Sequence, residues 1–389
     1  MVATEEAGGI PDRPRSALES GAQPSAGRTE WPSSLQLVGS KALGGAERWY
    51  LRFAAALAEA RAPAALGIRQ GSDLDRLCPA AFGGLPTHRL PFLSVWDPWS
   101  RAAVTRLIRR LGPDLVQTYM GRATRLTRIG PGKGPVHVAR LGGYYKVGPY
   151  RHAHAWIGNT RGLCDWLVGQ GLPAGRIFHI YNFADPARTV PEPEVAALRA
   201  DLGLAPDAWV LLCPGRLVPV KGHADLLDAL ALLPREVAGR PLRLVLLGDG
   251  PLRDDLLAQA RRLGVANRLV WPGWRTDPGP FFALADLVVF PSLEAETLGN
   301  VILEAWAWGR PLVTTLFRGA REIARHGADA WCVPCGDPKS LATGIRTLLD
   351  DPALGAALVS EGTRRVAVEF GRGPILAQYR DLYRELTGA

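Results

Sequence analysis

The sequence predicts an α/β protein of two doubly wound parallel-sheet domains that face a central cleft. Three observations carry this. At 389 residues and 47% hydrophobic composition, the chain is about twice a common domain length and can supply two cores. Short apolar runs alternate with helical segments, the pattern of buried parallel strands joined by crossover helices. Near the start, a strand, a glycine-rich turn and a helix follow one another, which is the opening unit of a doubly wound sheet.

The elements follow in order. Residues 1–30 are rich in Gly, Pro, Ser, Ala and Glu without an apolar period, and are expected to be a disordered lead-in. The first domain is expected over 31–185. Leu35 to Val38 reads as a strand, Gly39 to Gly45 as a turn, and Tyr50, Phe53, Leu57 and Ala60 recur at helical spacing. Trp99 to Leu111 reads as a helix with Arg101, Arg106, Arg109 and Arg110 on its polar side and Val104, Leu107, Ile108 and Leu111 opposite. Leu115 to Tyr119, Val136 to Arg140 and Ala155 to Gly158 read as further strands. Residues 186–207, Pro-rich with one short helix, are expected to link the domains. A second domain over 208–370 has strand-like runs at Trp209 to Cys213, Leu242 to Leu247, Leu287 to Phe290 and Leu312 to Thr315. Ligands of open parallel sheets sit beyond the carboxyl ends of the strands, which places the chemistry in the cleft between the domains.

Composition narrows the function. The 21% charged content fits a globular protein and argues against a fibrous or disordered one. No apolar run nears the roughly 20 residues of a spanning helix, and the start lacks a basic and an apolar leader region. Five cysteines without framework spacing fit a reducing compartment. Together these predict a cytoplasmic protein. The net charge of +9 is concentrated: Arg89 to Arg151 holds twelve Lys or Arg against Asp97 and Asp114. Such a patch favours an anionic partner, whether nucleic acid, lipid headgroups or an acidic saccharide.

Two motifs carry chemistry. After the strand ending at Phe290, a polar turn holds Glu296 and leads into a helix near Gly299 that carries Glu304, seven residues separating the two carboxylates. The backbone N–H groups of Leu298, Gly299 and Asn300 would form an anion site at the helix start. Glu304 lies among Val301, Ile302 and Ala305, where a carboxylate needs a partner. Some 80 residues upstream, Arg216 and Lys221 follow another strand, in Gly215-Arg216 and Lys221-Gly222, and both can reach into the cleft. Fixed cations there would stabilise a leaving group that gains negative charge.

In this order the motifs resemble the E-x7-E and G-R-x4-K-G elements of retaining family-4 glycosyltransferases with the GT-B fold, two Rossmann-like domains around a cleft. The resemblance implies that Arg216 and Lys221 grip the donor diphosphate, Glu296 faces the donor sugar and Glu304 holds the ribose hydroxyls. Thr297-Leu298-Gly299 replaces the family's Gly-Phe-Gly, which bears on sugar preference. Weaker matches are Gly44-Gly45-Ala46-Glu47-Arg48 (the family's N-terminal donor loop), Gly248-Asp249-Gly250-Pro251, and Trp271 to Arg275, which would set Trp274 or Arg275 beside the nucleobase. In GT-B proteins the last helix crosses back onto the first domain, so 371–389 is expected to do so. Many relatives carry a His after the strand at 115–119, where this chain has Gln117, Thr118 and Tyr119. No general base is assigned; the leaving phosphate can take the acceptor proton.

Other features have bland readings. Cys332-Val333-Pro334-Cys335 lacks a second pair and reads as packed thiols, and His152 and His154 read as partly buried side chains. On the acceptor side, Tyr119, Arg122, Arg125, Tyr144, Tyr145 and Lys146 set aromatics beside cations, suited to a sugar ring with an anionic group. The helix Trp99 to Leu111 either touches an anionic membrane surface or packs its apolar face on the sheet. The resulting expectation is a hexosyltransferase that uses a nucleotide sugar, UDP-linked first, and a saccharide or lipid-linked acceptor in polysaccharide or lipopolysaccharide assembly. It would need no cofactor or metal, because the two cations supply the charge, and no nucleic acid. The alternatives are a nucleotide-sugar epimerase of the same fold and a basic nucleic-acid- or lipid-binding protein.

Overall fold

The computed structural model describes residues 30–77, 79–130, 132 and 134–389. The lead-in expected over 1–30 lies outside the described residues except for Glu30.

Seven strands make the first sheet: β1 (Ser34–Val38), β2 (Ala64–Arg69), β3 (Thr87–Leu90), β4 (Leu115–Tyr119), β5 (Val136–Leu141), β6 (Ala155–Gly158) and β7 (Ile177–His179). All are parallel, in the order β3-β2-β1-β4-β5-β6-β7. The second sheet contains β8 (Trp209–Pro214), β9 (Glu236–Val237), β10 (Arg240–Leu247), β11 (Leu269–Val270), β12 (Leu287–Phe290), β13 (Leu312–Thr315) and β14 (Trp331–Val333). Its parallel order is β11-β10-β8-β12-β13-β14, with β9 antiparallel at the side of β10. In both sheets the strand order reverses beside the first strand, β1 or β8. Crevices of doubly wound sheets open at that reversal.

Sequence alone misses β2, β3 and the short strands β7, β9, β11 and β14; for the first two the reason is local. Gly67 interrupts β2, yet a Cβ there would sit 2.3 Å from Leu37 Cδ2, so the packing of β1 on β2 requires the glycine. Strand β3, three polar residues followed by Leu90, lies at the sheet edge.

Helices cover both faces. Gly45–Glu59 buries Trp49, Tyr50, Phe53 and Leu57 against the first sheet, each side chain worth roughly 1.5–3 kcal/mol. On the opposite face, Pro98–Leu111 buries Val104, Leu107 and Ile108. That helix therefore packs its apolar face on the sheet. Its N-terminus is capped by Asp97, which accepts from the N–H groups of Trp99 and Ser100.

Residues 186–207 differ from the expected linker. The helix Glu192–Asp201 packs Val195 and Leu198 on the second core, and Arg188 pairs with Asp277 at 2.8 Å. The segment is thus attached to the second domain. The crossover lies just before it, because Phe183 belongs to the first core and Ala184 to the second.

The last helix, Arg372–Thr387, lies on the first sheet. Its Tyr383 hydroxyl donates to Gln117 Oε1 at 3.0 Å and accepts from Gln36 Nε2 at 3.2 Å, while its Tyr379 hydroxyl accepts from Arg140 Nε at 2.9 Å. These contacts explain three polar side chains in the middle of buried strands, since buried polar groups persist when paired.

Candidate active site

The second-domain wall is built from three loops pressed together at the carboxyl ends of β8, β10 and β12. A Cβ on Gly248 would lie 1.9 Å from the Gly215 carbonyl oxygen, and one on Gly250 2.5 Å from that of Leu217. Only glycines allow this approach. Leu217 N–H donates to Asp249 O at 3.0 Å, which aims the exposed Arg216 from the lip of the cleft. A short turn then brings Lys221 Nζ to 2.6 Å from Glu296 Oε2, and the ammonium also lies 5.0 Å from the centre of the Phe290 ring. Ser292 Oγ is 3.4 Å from the same carboxylate oxygen. Gly299, at φ +76°, caps the helix Asn300–Ala307; a Cβ there would strike Phe317 at 2.5 Å and Phe290 at 2.8 Å. In the first turn the Ile302 N–H donates back to Gly299 O at 3.0 Å, while the N–H groups of Asn300 and Val301 precede the first intrahelical bonds. Leu298 is buried beneath this turn. The Asn300 side chain is engaged, its Oδ1 accepting from Asn182 Nδ2 at 2.7 Å, and Asn182 in turn accepts from Arg140.

The first domain supplies the opposite wall. Gly44 N–H donates to Glu47 Oε2 at 2.8 Å, a capping contact that shapes the lip at Gly44 and Gly45. One turn on, Arg52 holds Asp185 at 2.5 Å and reaches Glu304 Oε1 at 3.9 Å. Arg48 lies over the Trp274 ring at 5.4 Å. Crowding in the cleft lowers the Arg48 pKa, Glu304 works against that, and Arg216 adds to it. Glu304 thus finds its partners across the cleft. Sequence reasoning held Arg48 within the donor loop without giving it a role and missed Arg52; their four-residue spacing on the helix after the Gly44-Gly45 turn was the available signal. Trp274 is 44% exposed, and Arg275 Nη1 turns back to its carbonyl.

The residues expected on the acceptor side are not brought together. Tyr119 is a correction: it is 1% exposed, its hydroxyl donates to Gln36 Oε1 at 3.0 Å, and it packs edge-on to Tyr50, so it belongs to the core under the last helix. Arg122 donates to Phe92 O and Arg125 stacks on Trp96. Tyr145 does face the cleft: burial raises its hydroxyl pKa, helped by Glu47 and opposed by Arg140 and Arg216. Tyr144 lines a cavity of about 380 Å³ between the domains with Trp166, Arg318, Arg321 and Glu322. Lys146 is exposed in the same loop. Cys332 packs in the second core and Cys335 is half-buried, both as free thiols. His152 Nε2 contacts the carbonyls of Thr124 and Thr127, and His154 Nε2 that of Ile129. Among the described residues no helix is long and apolar enough to cross a membrane.

Residues 208–351 match the family described as glycosyl transferases group 1. The chain is 33% identical over 340 residues to the lipopolysaccharide core biosynthesis glycosyltransferase LpsE of Rhizobium meliloti, a match that covers 87% of this chain and 95% of that one. The chain belongs to the group 1 glycosyltransferases. This glycosyltransferase is also 32% identical over 353 residues to LpsD of the same organism, with the same coverage of both chains. Its fold is GT-B: HepE of Anabaena, solved in complex with UDP-glucose, superposes with a TM-score of 0.79 at 24% identity, covering 91% of this chain and all of that one. WaaG, a glycosyltransferase involved in lipopolysaccharide biosynthesis, superposes with a TM-score of 0.67 at 19% identity over 92% of this chain and 100% of its own.

The glycosyltransferase also buries His223, two residues from Lys221. Burial, with Lys221 nearby, pushes the His223 pKa down from 6.5 to about 4. Between those values the unfolded chain takes a proton that the folded chain refuses, so stability falls as pH drops from about 6.5 and levels off below about 4. Urea unfolding at pH 7 and pH 4 should show His223→Phe losing about 3 kcal/mol less than the wild type over that interval; equal losses would remove the assignment.

Proposed function

We propose that this glycosyltransferase moves a sugar, with retention, from a nucleotide diphosphate sugar to a hydroxyl of a saccharide or lipid-linked, anionic acceptor in lipopolysaccharide or related envelope assembly, at the cytoplasmic face of the membrane. The observation that carries the reading is the pair of facing walls. On one side Lys221 and Glu296 are ion-paired at 2.6 Å, with Arg216 at the lip. On the other, Arg48 and Arg52 address Glu304 across the cleft. The first domain then serves the acceptor and the second the donor.

In this reading the donor diphosphate draws Lys221 away from Glu296 and meets Arg216, the first-turn N–H groups and the lip at Gly44 and Gly45. The freed Glu296 faces the sugar, Glu304 accepts from the ribose hydroxyls, and Trp274 with Arg275 lies beside the base near Gly248. When the bond from the anomeric carbon to phosphate oxygen breaks, the electron pair leaves with the diphosphate, and the cations stabilise that charge. The acceptor oxygen bonds the anomeric carbon on the same face, and its proton passes to the departing phosphate. UDP is the first candidate for the nucleotide, supported by the UDP-glucose complex of HepE.

A thermal-shift comparison of UDP, GDP, ADP and CDP tests this. A nucleotide at 100 times its Kd stabilises by about 2.7 kcal/mol, several degrees in Tm. UDP should shift the wild type and leave Glu304→Ala nearly unmoved. No shift from any of the four would sink the donor site.

A further inference from the structure

Three of the large apolar side chains exposed among the described residues crowd into one stretch of seven: Leu93 at 62%, Trp96 at 74% and Trp99 at 77% exposure. Leu93 and Trp96 project from the loop between β3 and the helix Pro98–Leu111, Trp99 from the first turn of that helix, and the loop is held in shape. Phe92, at φ +42°, is buried in the core and turns the chain so that Leu93 faces out. Ser100 Oγ accepts from Leu93 N–H at 3.1 Å, and the Asp97 carboxylate accepts from Trp99 and Ser100 N–H. Side chains presented outward by a fixed loop form a ready-made surface.

Cations border the patch. The Arg125 guanidinium stacks on Trp96, 3.4 Å from the ring centre. Arg128 loses its proton more readily than a free arginine because of burial and the adjacent charges of Arg101 and Arg125, which puts the three guanidiniums in one cluster. The acid of the loop, Asp97, is committed to capping its helix. Indole rings favour a boundary that is apolar on one side and wet on the other, and clustered arginines favour a negatively charged one.

We infer that Leu93, Trp96 and Trp99, backed by Arg101, Arg125 and Arg128, dock the protein on an anionic lipid bilayer by the tip of this loop. The flank of the helix is not the contact, since Val104, Leu107 and Ile108 are packed on the sheet. The tip lies at the carboxyl edge of the first sheet, the edge that carries the Gly44-Gly45 lip; Arg122, one turn before Arg125, lies so close to Gly39 that a Cβ there would meet its side chain at 3.2 Å. A bilayer held there brings a lipid-linked acceptor to the mouth of the cleft, a purpose that rests on the proposed function.

The test is co-sedimentation of the full chain with phosphatidylcholine vesicles, with and without phosphatidylglycerol. Binding should need phosphatidylglycerol, weaken with salt, and fall by roughly tenfold or more in Trp96→Ser/Trp99→Ser. Arg125→Glu/Arg128→Glu should weaken it as well. Absence of binding, or binding that both variants keep, overturns the inference. So does a wild-type dimer in sedimentation velocity that the tryptophan variant dissolves, which would make the occupant a second copy. The UDP shift kept by that variant shows an intact donor site, so a failure here is separate from a failure of the proposed function.

Discussion

Lys221→Ala is expected to lower turnover of the donor sugar by roughly 10²–10³-fold, the loss typical when one preorganised group facing a developing negative charge is removed. Structural damage would be a competing cause, because the variant leaves Glu296 with only Ser292 Oγ at 3.4 Å, and an unpaired, largely buried acceptor costs about 1–3 kcal/mol. Thermal unfolding measures the structural part: in Lys221→Ala/Glu296→Gln the neutral glutamine no longer needs the ammonium, so Tm should recover. A Lys221→Ala enzyme with kcat near the wild type would show that Lys221 serves only to hold Glu296.

Gly222→Ala should give the largest loss of stability. This residue sits at φ +64°, and a Cβ on it would lie 1.9 Å from the carbonyl oxygen of Pro291 and 2.9 Å from its carbonyl carbon. Those atoms are backbone at the end of β12 and cannot swing aside. The left-handed conformation costs a non-glycine residue about 1–2 kcal/mol and the overpacking about 1–3 kcal/mol more. Tm should fall by roughly 5–15 °C. Pushing the Lys221 turn away from β12 also widens the contact of Lys221 with Glu296, so any residual activity should show a raised KM for the donor. A Tm within a degree of the wild type would mean that the two loops are not packed as described.

The two motifs on the second-domain wall were legible because they are local. Arg216 and Lys221, and Glu296 and Glu304, each lie within a few residues on one turn or one helix start, and the glycines beside them mark backbone that must approach closely. Most strands were legible for a similar reason, since a strand buried on both faces is nearly all apolar. Strands β7, β9, β11 and β14, of two or three residues, are too short to show it, and in β2 and β3 a glycine needed for strand packing and an edge position break the pattern.

What sequence alone determined, then, was the architecture of two doubly wound sheets and the two charged turns beyond the strands of the second. Tertiary structure decided which distant residues meet. Periodicity marks Tyr119 as the end of a strand, but only the arrival of Tyr383 from the last helix, bridged through Gln36, makes it a core residue. The same holds for Arg48 and Arg52, ordinary helix-face arginines until the second domain sets Glu304 against them. It holds again for Trp96 and Trp99, large apolar side chains that the folded chain leaves exposed while Phe92 in the same segment is buried. Local pattern encodes what one segment must bury, whereas a partner some hundred or more residues away is encoded only in the packing of the whole chain.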